Sequence, residues 1–257
     1  MPSTPPTPRR ILISGASSGL GAALAEAYAA PGVSLVLWGR DLARLETVAE
    51  RCRARGARVE TARVDVTDRA ATAGHVLAAD DAAPLDLLIA NAGVSGGTGG
   101  GTEPEDQTRD IFAVNLVGVL NTVQPVLPRM RARGRGQIAL MASLAGYRGF
   151  PGAPAYCASK AAVKVWGESL RGWLAADGVR VSVLCPGYVR TPMTAVNRFP
   201  MPFLMDAERA ARIMKRGLAN NRGRIAFPWP MAFGAWMAGA LPDALVDRLT
   251  RGLPRKG

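Results

Sequence analysis

Histidine is nearly missing from this chain. Among 257 residues there is one, His75, which excludes any mechanism that needs two histidines. It falls on a helix with a polar face and reads as a surface residue. Cysteine is scarce and odd in number: Cys52, Cys157 and Cys185 stand far apart, with neither a disulfide framework nor a metal-binding spacing. That usage is expected of a reducing, cytoplasmic setting. Cys157 reads as a packed, inert thiol. Long apolar runs are missing too, because no stretch reaches the roughly 20 residues of a membrane span. The opening MPSTPPTPRR has no apolar core after a basic start, unlike a signal peptide, and residues 1–9 read as a disordered tip.

Acid is in short supply against base. There are 20 Asp and Glu against 32 Lys and Arg, for a net charge of +12 and a pI near 10.7. Four of the basic residues are Lys (160, 164, 215 and 256) and the remainder are Arg. Such a balance suits an anionic partner. The arginines are dispersed over helix faces, as in Arg44, Arg51, Arg53, Arg55 and Arg58, and no nucleic-acid motif accompanies them. Nucleic-acid binding is therefore not expected.

What the chain does have is alternation. Apolar strand patterns at 10–14, 33–38, 57–64, 85–90, 137–142, 179–185 and 224–227 are separated by helical patterns near 18–30, 41–55, 68–79, 104–133, 155–176 and 206–221. Strand and helix in turn predict parallel strands with right-handed crossovers. Near-continuous Val, Ile and Leu in the strands predicts helices on both faces. No linker, repeat or compositional break divides the chain, so residues 10–257 are expected to form one domain.

The first strand runs into SGASSGLG and then a helical pattern. Gly15, Gly19 and Gly21 permit a tight turn and close approach to an anion. The helix that follows offers free N–H groups to a diphosphate. Farther on, Tyr156 and Lys160 lie one helical turn apart on one face, where an ammonium would make a phenol easier to ionise. The pair could then pass a proton near neutral pH.

These pieces resemble the short-chain dehydrogenase/reductase family. The spacing Gly-x-x-x-Gly-x-Gly is similar to that family's cofactor loop. Asn91, Ala92 and Gly93 resemble its NNAG motif, with Ala90 in place of the first Asn. Asn115 matches its helix Asn, Ser143 its strand-end Ser, and Tyr156-x-x-x-Lys160 its paired residues. Pro186-Gly187 and Thr191 follow the sixth strand as they do there. The resemblance implies a three-layer, Rossmann-like, doubly wound α/β fold with seven parallel strands in the order 3-2-1-4-5-6-7. It implies a nicotinamide cofactor held by Gly15, Ser17, Ser18, Gly19, Leu20 and Gly21. Asp65 and Val66 would meet the adenine, Asn91, Ala92 and Gly93 would back its ribose, and Pro186, Gly187, Val189 and Thr191 would meet the nicotinamide. Tyr156 would be the acid/base, with Lys160 lowering its pKa and holding the nicotinamide ribose. Ser143 would bond the substrate oxygen, and Asn115 would anchor a water linking Lys160 to solvent.

The second strand ends LWGRD, without an acid at Trp38 or Gly39 to repel a 2′-phosphate. Arg40 could grip one bidentately, so NADP(H) is expected over NAD(H), with Asp41 a counter-indication. Ser18 stands where some NADP-binding relatives carry a basic residue. An apolar carbonyl or secondary alcohol is expected from the Met and Phe residues of the lid, about 192–206. A catalytically idle dinucleotide sensor is the alternative. A homodimer or homotetramer through the helices near 104–133 and 155–176 is what the resemblance implies. The C-terminal segment 228–257 is apolar, then basic. Its run 231–241 is too short to span a bilayer, and packing within the protein or between subunits is expected ahead of peripheral membrane contact.

Overall fold

A computed structural model describes residues 8–197 and 199–250. The tip expected at 1–9 therefore lies outside the described residues up to residue 7, as do Arg198 of the lid and Arg251, Arg255 and Lys256. Seven parallel strands form one sheet: β1 (Arg10–Ser14), β2 (Ser34–Gly39), β3 (Arg58–Arg63), β4 (Leu87–Ala90), β5 (Gly136–Met141), β6 (Val179–Pro186) and, after two short strands, β9 (Arg224–Phe227). Their order is β3-β2-β1-β4-β5-β6-β9, the doubly wound arrangement that the family resemblance implies. The seventh sheet strand is the ninth in the chain. Val189–Arg190 (β7) and Met205–Asp206 (β8) pair only with each other and pin the two ends of the lid segment. Two residues each are too short to leave a period in the sequence.

Eleven helices and two tighter segments complete the described fold. They are α1 (Gly19–Tyr28), α2 (Leu42–Arg53), α3 (Arg69–Ala82), α4 (Glu105–Phe112), a π turn (Ala113–Val117), α5 (Gly118–Val123), α6 (Leu127–Ala132), a 3-10 turn (Leu144–Gly146), α7 (Pro154–Leu174), α8 (Pro192–Ala195), α9 (Ala207–Ala219), α10 (Trp229–Ala240) and, last, α11 (Asp243–Thr250). Successive strand residues point to opposite faces, which splits the core in two. Ile11, Ile13, Leu35 and Leu37 pack with Leu24, Leu45 and Met214 beneath α1, α2 and α9. Leu12, Val36, Leu88 and Leu140 pack with Val76, Val123 and Val163 beneath α3, α5 and α7. The central strands are dry on both sides, whereas edge strand β3 (RVETAR) carries exposed charge that discourages further pairing.

The single helix expected over 104–133 is broken. The π turn at Ala113–Val117 and a non-helical step before Leu127 divide it. By length and composition Glu105–Ala132 could cross a bilayer, which corrects the expectation that no run is long enough. Half of its most apolar window is buried in this fold, against α3, β4 and α7. Strand order reverses between β1 and β4, and in open sheets the crevice at such a point takes the ligand.

Candidate active site

The crevice is there, with a volume of about 400 Å³. Its first wall is the turn from β1 into α1. Gly15 and Gly19 have φ of +65° and +55°, where a side chain would be strained. Gly21 serves packing: a Cβ there would collide with the Gly15 carbonyl and the Asn91 amide, so the helix lies tight against the turn. Asn91 closes the turn by donating from Nδ2 to the carbonyls of Ser14 (2.9 Å) and Gly15 (3.1 Å). The Ser14 hydroxyl accepts from the backbone N–H groups of Asn91 and Ala92 at 3.0 and 3.1 Å. Ser18, the N-cap of α1, makes no side-chain cap bond and the first turn carries no acid, so the dipole end is left for an anion.

At one end of the crevice stand Arg40 and Arg44. Among the described residues neither guanidinium has a hydrogen-bond or ion-pair partner. Asp41 lies between them in sequence, but its carboxylate accepts from the Arg44 backbone N–H at 3.0 Å and caps α2. Asp65 accepts from the backbone and hydroxyl of Thr67 at 3.0 and 2.8 Å. Those bonds, helped by the charge of Arg40, hold its carboxyl below the usual range. The cap of α3 is Asp68 and not Asp65, since Asp68 accepts from Ala71 N–H at 3.0 Å.

The other end gathers Ser143, Tyr156 and Lys160. Ser143 follows β5. Its hydroxyl accepts from Ala145 N–H at 3.1 Å and reaches the Pro186 carbonyl at 3.4 Å. α7 carries the other two. Pro154 starts that helix, and the Glu103 carboxylate accepts from Ala155 N–H at 3.0 Å. Lys160 is only 4% exposed. Its Nζ donates to the Met141 carbonyl at 2.9 Å and lies 5.7 Å from the centre of the Tyr156 ring. Burial depresses the lysine pKa to about 8.

The phenol corrects one expectation. Burial raises the Tyr156 pKa, and hydrogen bonding with the Ser143 hydroxyl opposes that only in part. In this geometry Lys160 spends its charge on Met141, so the acidification expected from the four-residue spacing is not present.

Every predicted site residue lines the crevice except two. Gly21 stands behind it, as described. Asn115 is fully buried in the π turn, and both its amide hydrogens are engaged, with the Val94 carbonyl at 2.9 Å and with the Ser159 hydroxyl at 3.1 Å.

A family profile described as "short chain dehydrogenase" matches residues 9–200. The chain belongs to the short-chain dehydrogenase family. As a member it is an oxidoreductase that binds a nicotinamide dinucleotide. An "uncharacterized oxidoreductase" of Myxococcus xanthus is 42% identical over 246 residues, covering 95% of this chain and 97% of that one. A short-chain dehydrogenase from Sphingobium yanoikuyae solved with NADPH is 27% identical with a TM-score of 0.79, covering 91% of this chain and 97% of that one. Another from Burkholderia phymatum, solved with NAD, is 27% identical with a TM-score of 0.82 and covers 97% of each chain.

This short-chain dehydrogenase fits the dinucleotide by its own geometry. A Cβ on Gly19 would come within 3.2 Å of the Thr191 side chain, and one on Gly93 within 3.3 Å of Lys160 Nζ. Side chains there would fill the space the crevice leaves beside the helix end. Sequence reasoning missed Arg44, taken as a surface charge, and Ser159, whose hydroxyl accepts from Asn115 and donates to the Tyr156 carbonyl at 2.8 Å. Neither contact has a local signature: Ser159 meets Asn115 across 44 residues.

Proposed function

We propose that this enzyme is an NADP(H)-dependent reductase and dehydrogenase of an apolar carbonyl or secondary alcohol. The observation that carries the reading is one crevice with Arg40 and Arg44, whose guanidiniums have no ion-pair partner among the described residues, at one end and Ser143, Tyr156 and Lys160 at the other. A guanidinium pair matches a 2′-phosphate in charge and shape. The acid that would compete with the phosphate, Asp41, is committed to capping α2.

When bound, the nicotinamide ring supplies or takes up a hydride. The chain does the rest. Ser143 fixes the substrate oxygen, and Tyr156 gives or takes the proton at that oxygen. Lys160 offers a buried charge that favours the phenolate once it turns from the Met141 carbonyl toward Tyr156 and the ribose hydroxyls. Asn115 and Ser159 hold the start of that path in place. A relay water at Asn115 would need a group other than its amide hydrogens. Met193 borders the crevice, and Tyr188 meets Phe199 of the lid edge to face at 6.1 Å, which supports an apolar substrate. Exposed Val117, Val165 and Trp173 on the π turn and α7 support association of copies through these helices. An idle sensor would leave the meeting of Ser143, Tyr156 and Lys160 without a use.

The test is kcat/KM with NADPH and NADH against a panel of ketones, aldehydes and acyl thioesters. NADPH oxidation with apolar ketones is the expected result. A preference for NADH, or turnover of polar substrates alone, would sink the reading.

A further inference from the structure

α10 (WPMAFGAWMAGA) has no charged residue, and none of its twelve residues is buried. One side leans on the protein. Met231, Ala232 and Ala235 pack against the core, and Gly239 lies beside the Tyr147 carbonyl. The opposite side carries Trp229, Phe233 and Trp236, which are 74, 54 and 53% exposed. Their spacing of four and three residues aligns them in a stripe, with the last two rings 5.9 Å apart. A helix that is apolar all round belongs in a core or against lipid. The packing expected for this segment thus accounts for only half of the helix, and the aromatic stripe needs a cover.

We propose that the cover is an anionic lipid surface, on which α10 lies in the interface plane. Twelve residues give a helix about 18 Å long, short of the roughly 30 Å hydrocarbon core, so α10 can lie in a leaflet but not cross one. Tryptophan is at home at that depth. Charge selects the lipid. Arg248 is exposed on α11, the exposed Asp243 of that helix is paired with Arg148, and the sequence after Asp247 adds Arg251, Arg255 and Lys256 without an acid. Each basic residue near an anionic headgroup layer strengthens attraction.

The full chain is tested by flotation with vesicles of phosphatidylcholine alone and of phosphatidylcholine mixed with phosphatidylglycerol. It should float with the mixed vesicles only, and brominated acyl chains should quench its tryptophan emission. The triple variant Trp229→Ser, Phe233→Ser, Trp236→Ser should lose at least about a hundredfold in vesicle partitioning, with unchanged turnover in solution. Wild-type protein left in the soluble fraction, or a triple variant that floats as well as wild type, would overturn the proposal. So would an aromatic-dependent dimer seen by light scattering without vesicle binding. Should the triple variant misfold, the quenching of wild-type protein decides: no quenching refutes lipid contact.

Discussion

Asn115 holds both backbone groups of Val94. Its Oδ1 accepts from the Val94 N–H at 2.8 Å, and its Nδ2 donates to the Val94 carbonyl at 2.9 Å. The second amide hydrogen goes to Ser159, whose hydroxyl donates to the Tyr156 carbonyl. One buried amide thus ties the segment leaving β4 to the helix that carries Tyr156. Such π turns often mark functional sites, and this one turns Asn115 inward.

Removing that amide should be costly. Asn115→Leu strands a part-buried N–H and a carbonyl of Val94 and the hydroxyl of Ser159, at about 1 kcal/mol or more for each. Chemical denaturation should show a loss on the order of 3 kcal/mol. Turnover of the folded fraction should fall more than NADPH affinity does. An unchanged denaturation midpoint would contradict the bracing role.

Lys160 makes stability depend on pH. Its pKa is about 8 in the fold against 10.5 ordinarily, so between those values the unfolded chain binds the extra proton. Stability must then rise with pH across that window. From pH 7 to 9.5, wild type should gain about 2 kcal/mol relative to Lys160→Met, which has no charge to bury. Parallel pH profiles of the two proteins would show Lys160 to be normally hydrated.

Tyr156→Phe keeps the ring and deletes the proton. Turnover should drop by about 10²–10⁴-fold while NADPH titration by fluorescence is little changed. A variant that still turns over near the wild-type rate would remove Tyr156 from acid/base work.

Arg40→Ala and Arg44→Ala address cofactor choice separately. Each should weaken NADPH by about 10–100-fold, the worth of a charge-assisted hydrogen bond, and leave NADH within about twofold. Equal losses for both cofactors would mean the guanidiniums do not meet a 2′-phosphate.

Much of this was readable in one dimension, but unevenly. Parallel strands buried on both faces leave dense Val, Ile and Leu runs, so the central sheet strands could be anticipated from the residues alone, whereas their order came from the resemblance to the family. Glycines at Gly15 and Gly19 are demanded by backbone angle, and that demand is local. The pairing of β7 with β8 was not readable, because two residues carry no period. The outer face of α10 was not settled by composition: packing within the protein or between subunits was expected, and within the single chain Trp229, Phe233 and Trp236 stand in the open. Asp41 could not be told from a ribose ligand until its carboxylate was seen on the Arg44 N–H.

The amino-acid order by itself determined the fold class, the helix-end anion site and the residue types gathered for proton transfer. These follow from periodicity and from conformational limits that act over a few residues. Only the tertiary structure decided the protonation balance and the bracing. Burial lifts the Tyr156 pKa and lowers that of Lys160, and the Met141 carbonyl holds the ammonium. Those effects depend on what solvent can reach and on partners tens of residues distant, and neither is encoded in local spacing.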